Sequence, residues 1–178
     1  MPTIGYHASH EQFKPSELLK WVQMAEQAGF TLALSSDHFY PWSEQQGQSG
    51  FAWSWLGAAM QATPTVSYRV VCAPGQRYHP AIIAQAAATL AEMFPNRFWL
   101  TVGSGQALNE HITGEHWPCK SQRNARLKEC VDIIRALWGG ALTSNLFCRQ
   151  AMSIRDNCLY FFDVFYASFF AKILEKLS

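Results

Sequence analysis

Three observations predict an α/β fold built from consecutive βα units. A short β-like run is followed by a helical run four times over, Pro stands near helix starts with Gly near helix ends, and the chemically distinctive residues gather directly after the strands. Strands spaced by helices pair in parallel through right-handed crossovers. Two architectures satisfy the pattern, an open doubly wound sheet and a (β/α)8 barrel, and both keep functional loops beyond the C-terminal ends of the strands.

The first strand is expected over residues 3–8. In the helix that follows, Leu18, Val22 and Ala25 share one face, Pro15 suits the first turn and Gly29 the C-terminal cap. A second strand at 31–35 leads through a long loop to a helix at 52–62, which Pro64 closes. The third strand, 69–73, precedes a helix from Pro80 with Ile83, Ala87, Leu90 and Phe94 along one side. After a fourth strand at 98–102 come a glycine-containing loop and a helix at 121–138 carrying Leu127, Val131, Ile134 and Trp138. The strand ends present Asp37 and His38, Arg77 to His79, and Gly103 to Glu110 in turn.

Composition narrows the function classes. With 49% hydrophobic and 15% charged residues and a net charge of +1, the chain reads as a soluble globular protein without the basic stripe that nucleic acid requires. Its 178 residues give room for one substantial core. No basic n-region precedes an apolar stretch, so no signal peptide is expected. Cys72, Cys119, Cys130, Cys148 and Cys158 are odd in number and lack CxxC spacing, which fits reduced thiols in a cytoplasm.

Most motif readings fail on spacing. Gly103 and Gly105 would need a third glycine at Leu108 to complete a dinucleotide fingerprint, and no lysine follows them as in a Walker loop. They still suit either a tight turn or a close approach of backbone to a ligand. His111, His116, Cys119 and Cys130 are too irregularly spaced for a zinc set, so no metal is expected. No serine sits in a G-x-S-x-G elbow. "SDHFYPW" leaves two readings open. Asp37 caps a turn while His38 packs on Phe39 or Trp42, or the two form a chemical pair beside an aromatic wall made by Trp42.

Five stretches taken together carry a resemblance: "GYHASHEQFKPSELL", "SDHFYPW", "RYHPAIIAQAAATLAEMFPNRF", "GSGQALNEHITG" and "WP". In order and spacing, over about residues 4–139, they resemble the luciferase-like flavin and deazaflavin oxidoreductases, especially the coenzyme-F420-dependent branch and its FMN-using relatives. The resemblance implies a TIM-barrel (β/α)8 fold with the cofactor ring, FMN or F420, at the C-terminal mouth. It implies that Asp37 hydrogen-bonds the ring, that His38 gives or takes a proton, and that Trp42 lines the substrate side. Ala73, Gly103, Ser104, Gly105, Gln106, Ala107 and Asn109 match cofactor-side positions. Gln106 stands where the sugar-phosphate dehydrogenases of the family carry a Glu, and an amide cannot shuttle a proton near neutral pH.

Only the first four βα units are visible, so a truncated barrel over 1–140 is expected, followed by an atypical tail over 141–178. The tail holds eight aromatic residues among 38 positions and no Pro or Gly. It suits an amphipathic helix over 159–174, a frameshifted or truncated gene end, or a cover for the open side of the barrel. Asp163, Ser168 and Lys172 interrupt it too often for a membrane span. Because the later barrel units supply the cofactor-phosphate groups in the family, cofactor affinity is expected to be reduced or absent. The expected partner is a small-molecule substrate, with a homodimer through the open edges left open. The competing reading is a non-catalytic fragment that associates through those edges.

Overall fold

The computed structural model describes residues 4–140 and 159–161. Strands β1 (Tyr6–Ala8), β2 (Leu32–Ser36), β3 (Ser67–Cys72), β4 (Phe98–Val102) and β5 (Leu159–Phe161) form one parallel sheet in chain order. Helices α1 (Pro15–Gln27), α2 (Ala52–Ala62), α3 (Pro80–Met93), α4 (Ala107–Glu110) and α5 (Lys120–Trp138) connect them, with a 3-10 turn at His111–Thr113. A doubly wound sheet reverses its strand order partway; this one does not, and the sequential order is that of a barrel wall.

The two faces of the sheet differ as barrel geometry requires. Ala8, Ala33, Tyr68, Val70, Leu100 and Val102 are buried in one cluster with Leu18 and Val22 of α1, Leu56 and Ala59 of α2, Ile83 and Ala87 of α3, and Ile134 of α5. On the opposite, concave face, one register row runs His7, Leu34, Arg69, Trp99. His7 and Leu34 are exposed there, and Arg69 and Trp99 are half-buried.

The helix caps form where the residue pattern places them. Pro15 opens α1, whose first turn is closed by Lys14 N–H donating to Glu17 Oε2 at 3.2 Å. Pro80 opens α3, and the preceding His79 Nδ1 accepts from Ala81 N–H at 3.2 Å. Helix α5 docks on α3 through Trp138 Nε1, which donates to Ala84 O at 3.1 Å. The fourth strand falls where expected, while limits of the first three shift by one to three residues; residue 3 lies outside the described residues.

Within the tail, residues 159–161 form a strand on β4 rather than the start of a helix, with Leu159 opposite Leu100 and Phe161 opposite Val102. The open edge of β4 offers unpaired backbone groups, and Leu-Tyr-Phe is a sequence of good strand formers. The rest of the expected helix lies outside the described residues.

Gly75 has a space requirement of its own. Its φ is +90°, and a Cβ there would fall 2.7 Å from Cys130 Sγ and 2.9 Å from Arg126 Cγ. Gly75→Ala combines left-handed strain with overpacking, so it is expected to cost about 3 kcal/mol. Urea denaturation of the variant checks this, and a loss under about 1 kcal/mol contradicts the crowding argument.

Candidate active site

The strands end together and deliver their following residues to one mouth. Asp37 N–H still donates to Val71 O at 3.1 Å, and Gly103 N–H to Cys72 O at 2.9 Å, so sheet pairing runs into the loops. An open-mouthed cleft there is lined by Asp37, His38, Val71, Cys72, Ala73, Gly103, Gly105, Gln106, Asn109 and Glu110. Ala73 and the glycines leave backbone on the wall. Gly105 needs its freedom: at φ +83°, a Cβ would meet Glu110 Cγ at 3.2 Å and the Trp117 ring at 3.3 Å. A wall of backbone and small side chains fits the approach of a flat ring.

His38 is oriented by a residue from another strand. Its Nδ1 lies 2.5 Å from Glu11 Oε1, a close contact without hydrogen-bond alignment. Glu11, just beyond β1, is buried and also accepts from Ser36 Oγ at 2.7 Å and Ser9 Oγ at 2.8 Å. Burial pushes the Glu11 carboxyl up, but His38 and the two hydroxyls outweigh it and hold the group down at about 2. Glu11 is therefore an anion at any ordinary pH, and its Oε1 faces the Nδ1 edge of the imidazole. Trp42 packs edge-on against the imidazole, centroids 5.4 Å apart.

Asp37 is buried and its carboxylate is shared among three donors. Tyr78 OH donates to Oδ1 at 3.0 Å, Trp53 Nε1 to Oδ2 at 3.3 Å, and Arg77 Nη2 stands 3.3 Å from Oδ2. Burial raises the Asp37 carboxyl above its ordinary range, and Arg77 opposes the rise. The turn-capping and chemical readings of Asp37–His38 thus separate: Asp37 anchors the loop, while His38 stands half-exposed at the cleft with its own carboxylate.

Asn109 is buried and ties the two loops together. Its Oδ1 accepts from Phe39 N–H at 2.8 Å and Tyr40 N–H at 3.0 Å, and its Nδ2 donates to Gln106 Oε1 at 3.2 Å. Ala107 begins α4, Ser104 is half-buried beside the lining glycines, and Trp42 is 51% exposed at the rim. Most of the residues singled out from the sequence therefore meet at one mouth.

The sequence reading placed Arg77, Tyr78 and Glu110 at the strand ends without giving them a role, and it did not single out Glu11. Glu11 stands after β1 just as Asp37 stands after β2, so the strand-end rule applied to β1 would have found it. Glu110 is also buried, and burial raises its carboxyl. Among the described residues no group of His, Cys, Asp and Glu could hold a metal, and no helix is long and apolar enough to cross a membrane. Cys72, Cys119 and Cys130 are free thiols; Cys148 and Cys158 lie outside the described residues.

Comparison with known proteins agrees with this architecture. The chain is 45% identical over 141 residues to an F420-dependent glucose-6-phosphate dehydrogenase of Beutenbergia cavernae, covering 79% of this chain and 42% of that protein. It is 46% identical over 140 residues to the enzyme of the same description from Mycobacterium tuberculosis. The chain spans less than half the length of these relatives. Among solved structures, an F420-dependent secondary alcohol dehydrogenase in complex with an F420-acetone adduct matches with a TM-score of 0.79 at 35% identity. The match covers 90% of this chain and 51% of that one. A coenzyme-F420-dependent tetrahydromethanopterin reductase from Methanopyrus kandleri, 18% identical at a TM-score of 0.66, shares the fold. A model of the family described as luciferase-like monooxygenase matches residues 1–147, and the chain belongs to that family.

Proposed function

We propose that residues 1–140 form the ring-facing half of a flavin- or deazaflavin-dependent oxidoreductase acting on a small molecule. The observation that carries this is the Glu11-oriented His38 lining one cleft with Gly103, Gly105 and Gln106. A bound F420 or FMN supplies the hydride chemistry. With Nδ1 held against Glu11, His38 Nε2 is the ring nitrogen left to exchange a proton with substrate. Trp42 shields one side of the imidazole, and Ala73, Gly103, Ser104 and Gly105 give the ring a backbone surface. Asp37 and Asn109 hold the loops that bear these groups. The relatives' names point to F420 first and to an alcohol or sugar-phosphate substrate. Gln106, which brings no proton, favours the alcohol. Free thiols fit a cytoplasmic setting.

Fluorescence titration with F420 and with FMN tests the reading. Binding weaker than that of the relatives is expected, because the described residues bring together groups for the ring end of the cofactor. His38→Ala is expected to leave binding in place and to lower turnover of a secondary alcohol about 10²–10⁴-fold. Absence of binding to either cofactor overturns the proposal.

A second reading is favoured by the exposed concave face at His7 and Leu34. On it the chain is non-catalytic and associates through that face, which size-exclusion chromatography would register as a larger species.

A further inference from the structure

Arg77 touches all three loops that build the cleft. From its place after β3, its Nη2 donates to Asp37 O at 2.8 Å and lies 3.3 Å from Asp37 Oδ2. Its backbone N–H donates to Glu110 Oε2 at 3.0 Å, and its Nε stands 4.0 Å from the same oxygen. The guanidinium lies over Tyr78, 4.5 Å from the ring centroid, and 5.8 Å from that of Phe39. Its side chain is only 11% exposed, so these contacts work with little solvent screening.

The contacts have a direction. Asp37 immediately precedes His38, so a guanidinium gripping the Asp37 carbonyl and carboxylate sets where the imidazole leaves the strand. Glu110 immediately follows Asn109, whose amide holds Phe39 and Tyr40. Arg77 therefore braces the histidine loop against the Gly103–Glu110 segment from the third loop between them. The guanidinium holds the Asp37 side while the Arg77 backbone N–H holds Glu110; a lysine ammonium keeps the charge but is a point donor without the planar fork.

We propose that Arg77 is a positioning residue that sets the spacing between the His38 loop and the Gly103–Gln106 wall, and so the width of the cofactor cleft. It acts through Asp37 and Glu110 and touches no reacting atom.

The test compares the wild-type chain with Arg77→Lys and Arg77→Met by amide hydrogen exchange and by F420 fluorescence titration. Arg77→Lys is expected to lower protection of the Phe39 and Tyr40 amides about tenfold while leaving Val70 and Leu100 in the sheet unchanged. It is expected to weaken F420 binding about tenfold as well. Unchanged protection at Phe39 and Tyr40, or an equal loss throughout the sheet, overturns the proposal. If Arg77→Met does not fold, Arg77→Lys decides; if neither folds, Arg77 is a stability residue and the proposal fails. The binding comparison rests on the proposed cofactor reading, whereas the exchange comparison does not. A wild-type chain that ignores F420 removes the former and leaves the exchange result to decide on Arg77.

Discussion

Asp37→Ala is expected to destabilise the fold by about 3–5 kcal/mol, measured by urea denaturation, because it breaks a buried ion pair from one side. The loss leaves Arg77 with one carboxylate, Glu110, and strips Tyr78 OH and the Trp53 indole of their acceptor. Asp37→Asn should cost less. It retains an oxygen for Tyr78 and takes away the charge whose burial is itself expensive. Equal losses for the two substitutions would show that packing, rather than the charge, holds this position. A negligible loss in both would contradict the network outright.

Acid is expected to unfold the protein in two overlapping stages, through His10 and Glu11. His10 is completely buried, its Nε2 sits 2.8 Å from Ser35 Oγ, and its ring packs edge-on against Trp55. Burial lowers its pKa to about 4. The unfolded chain takes up that proton near pH 6.5, so folding stability falls as pH drops from there to about 4. Glu11, held at about 2, works in the same direction: its contribution is complete above its ordinary value of 4.5 and is lost between there and 2. Each shift corresponds to about 3 kcal/mol.

Asp37 and Glu110 act oppositely. Burial raises both, so the folded state accepts their protons more readily than the unfolded one, and acid relieves a strain there. They oppose His10 and Glu11, and the net pH slope is the balance of the four groups. Denaturation midpoints from pH 7 to 3 measure it. His10→Gln should flatten the limb between about pH 6.5 and 4 and leave the lower limb in place. An unchanged upper limb would remove His10 from the account.

The helical half of this fold is read directly from side-chain spacing. Leu18, Val22 and Ala25, and Ile83, Ala87, Leu90 and Phe94, are buried along the faces their period defines. Their partners are any apolar surface, and the hydrophobic effect is non-directional, so local pattern is enough. Choice of architecture was not local. Both parallel folds share the βα pattern, and it took the chain-order pairing of the strands, with the helical core on one face, to select the barrel wall. The tail's "LYF" illustrates the same limit: an apolar aromatic run suits helix or strand, and the free edge of β4 decides between them.

Asp37, His38, Trp42 and the Gly103–Asn109 loop were legible because chemistry collects after parallel strands, a rule that needs strand positions alone. What each does was not. Sequence neighbours Asp37 and His38 invite pairing with each other, yet in the structure Asp37 turns to Arg77, Tyr78 and Trp53 while His38 turns to Glu11. Successive residues beyond a strand point to opposite sides, so their partners come from different neighbouring loops. By itself the sequence determined the first four strands, helices α1, α2, α3 and α5, and the end of the sheet at which the chemically distinctive residues gather. The tertiary structure alone decided which carboxylate meets which cation. Such pairs depend on side-chain direction and burial across residues 27 to 40 positions apart, where no local periodicity reaches.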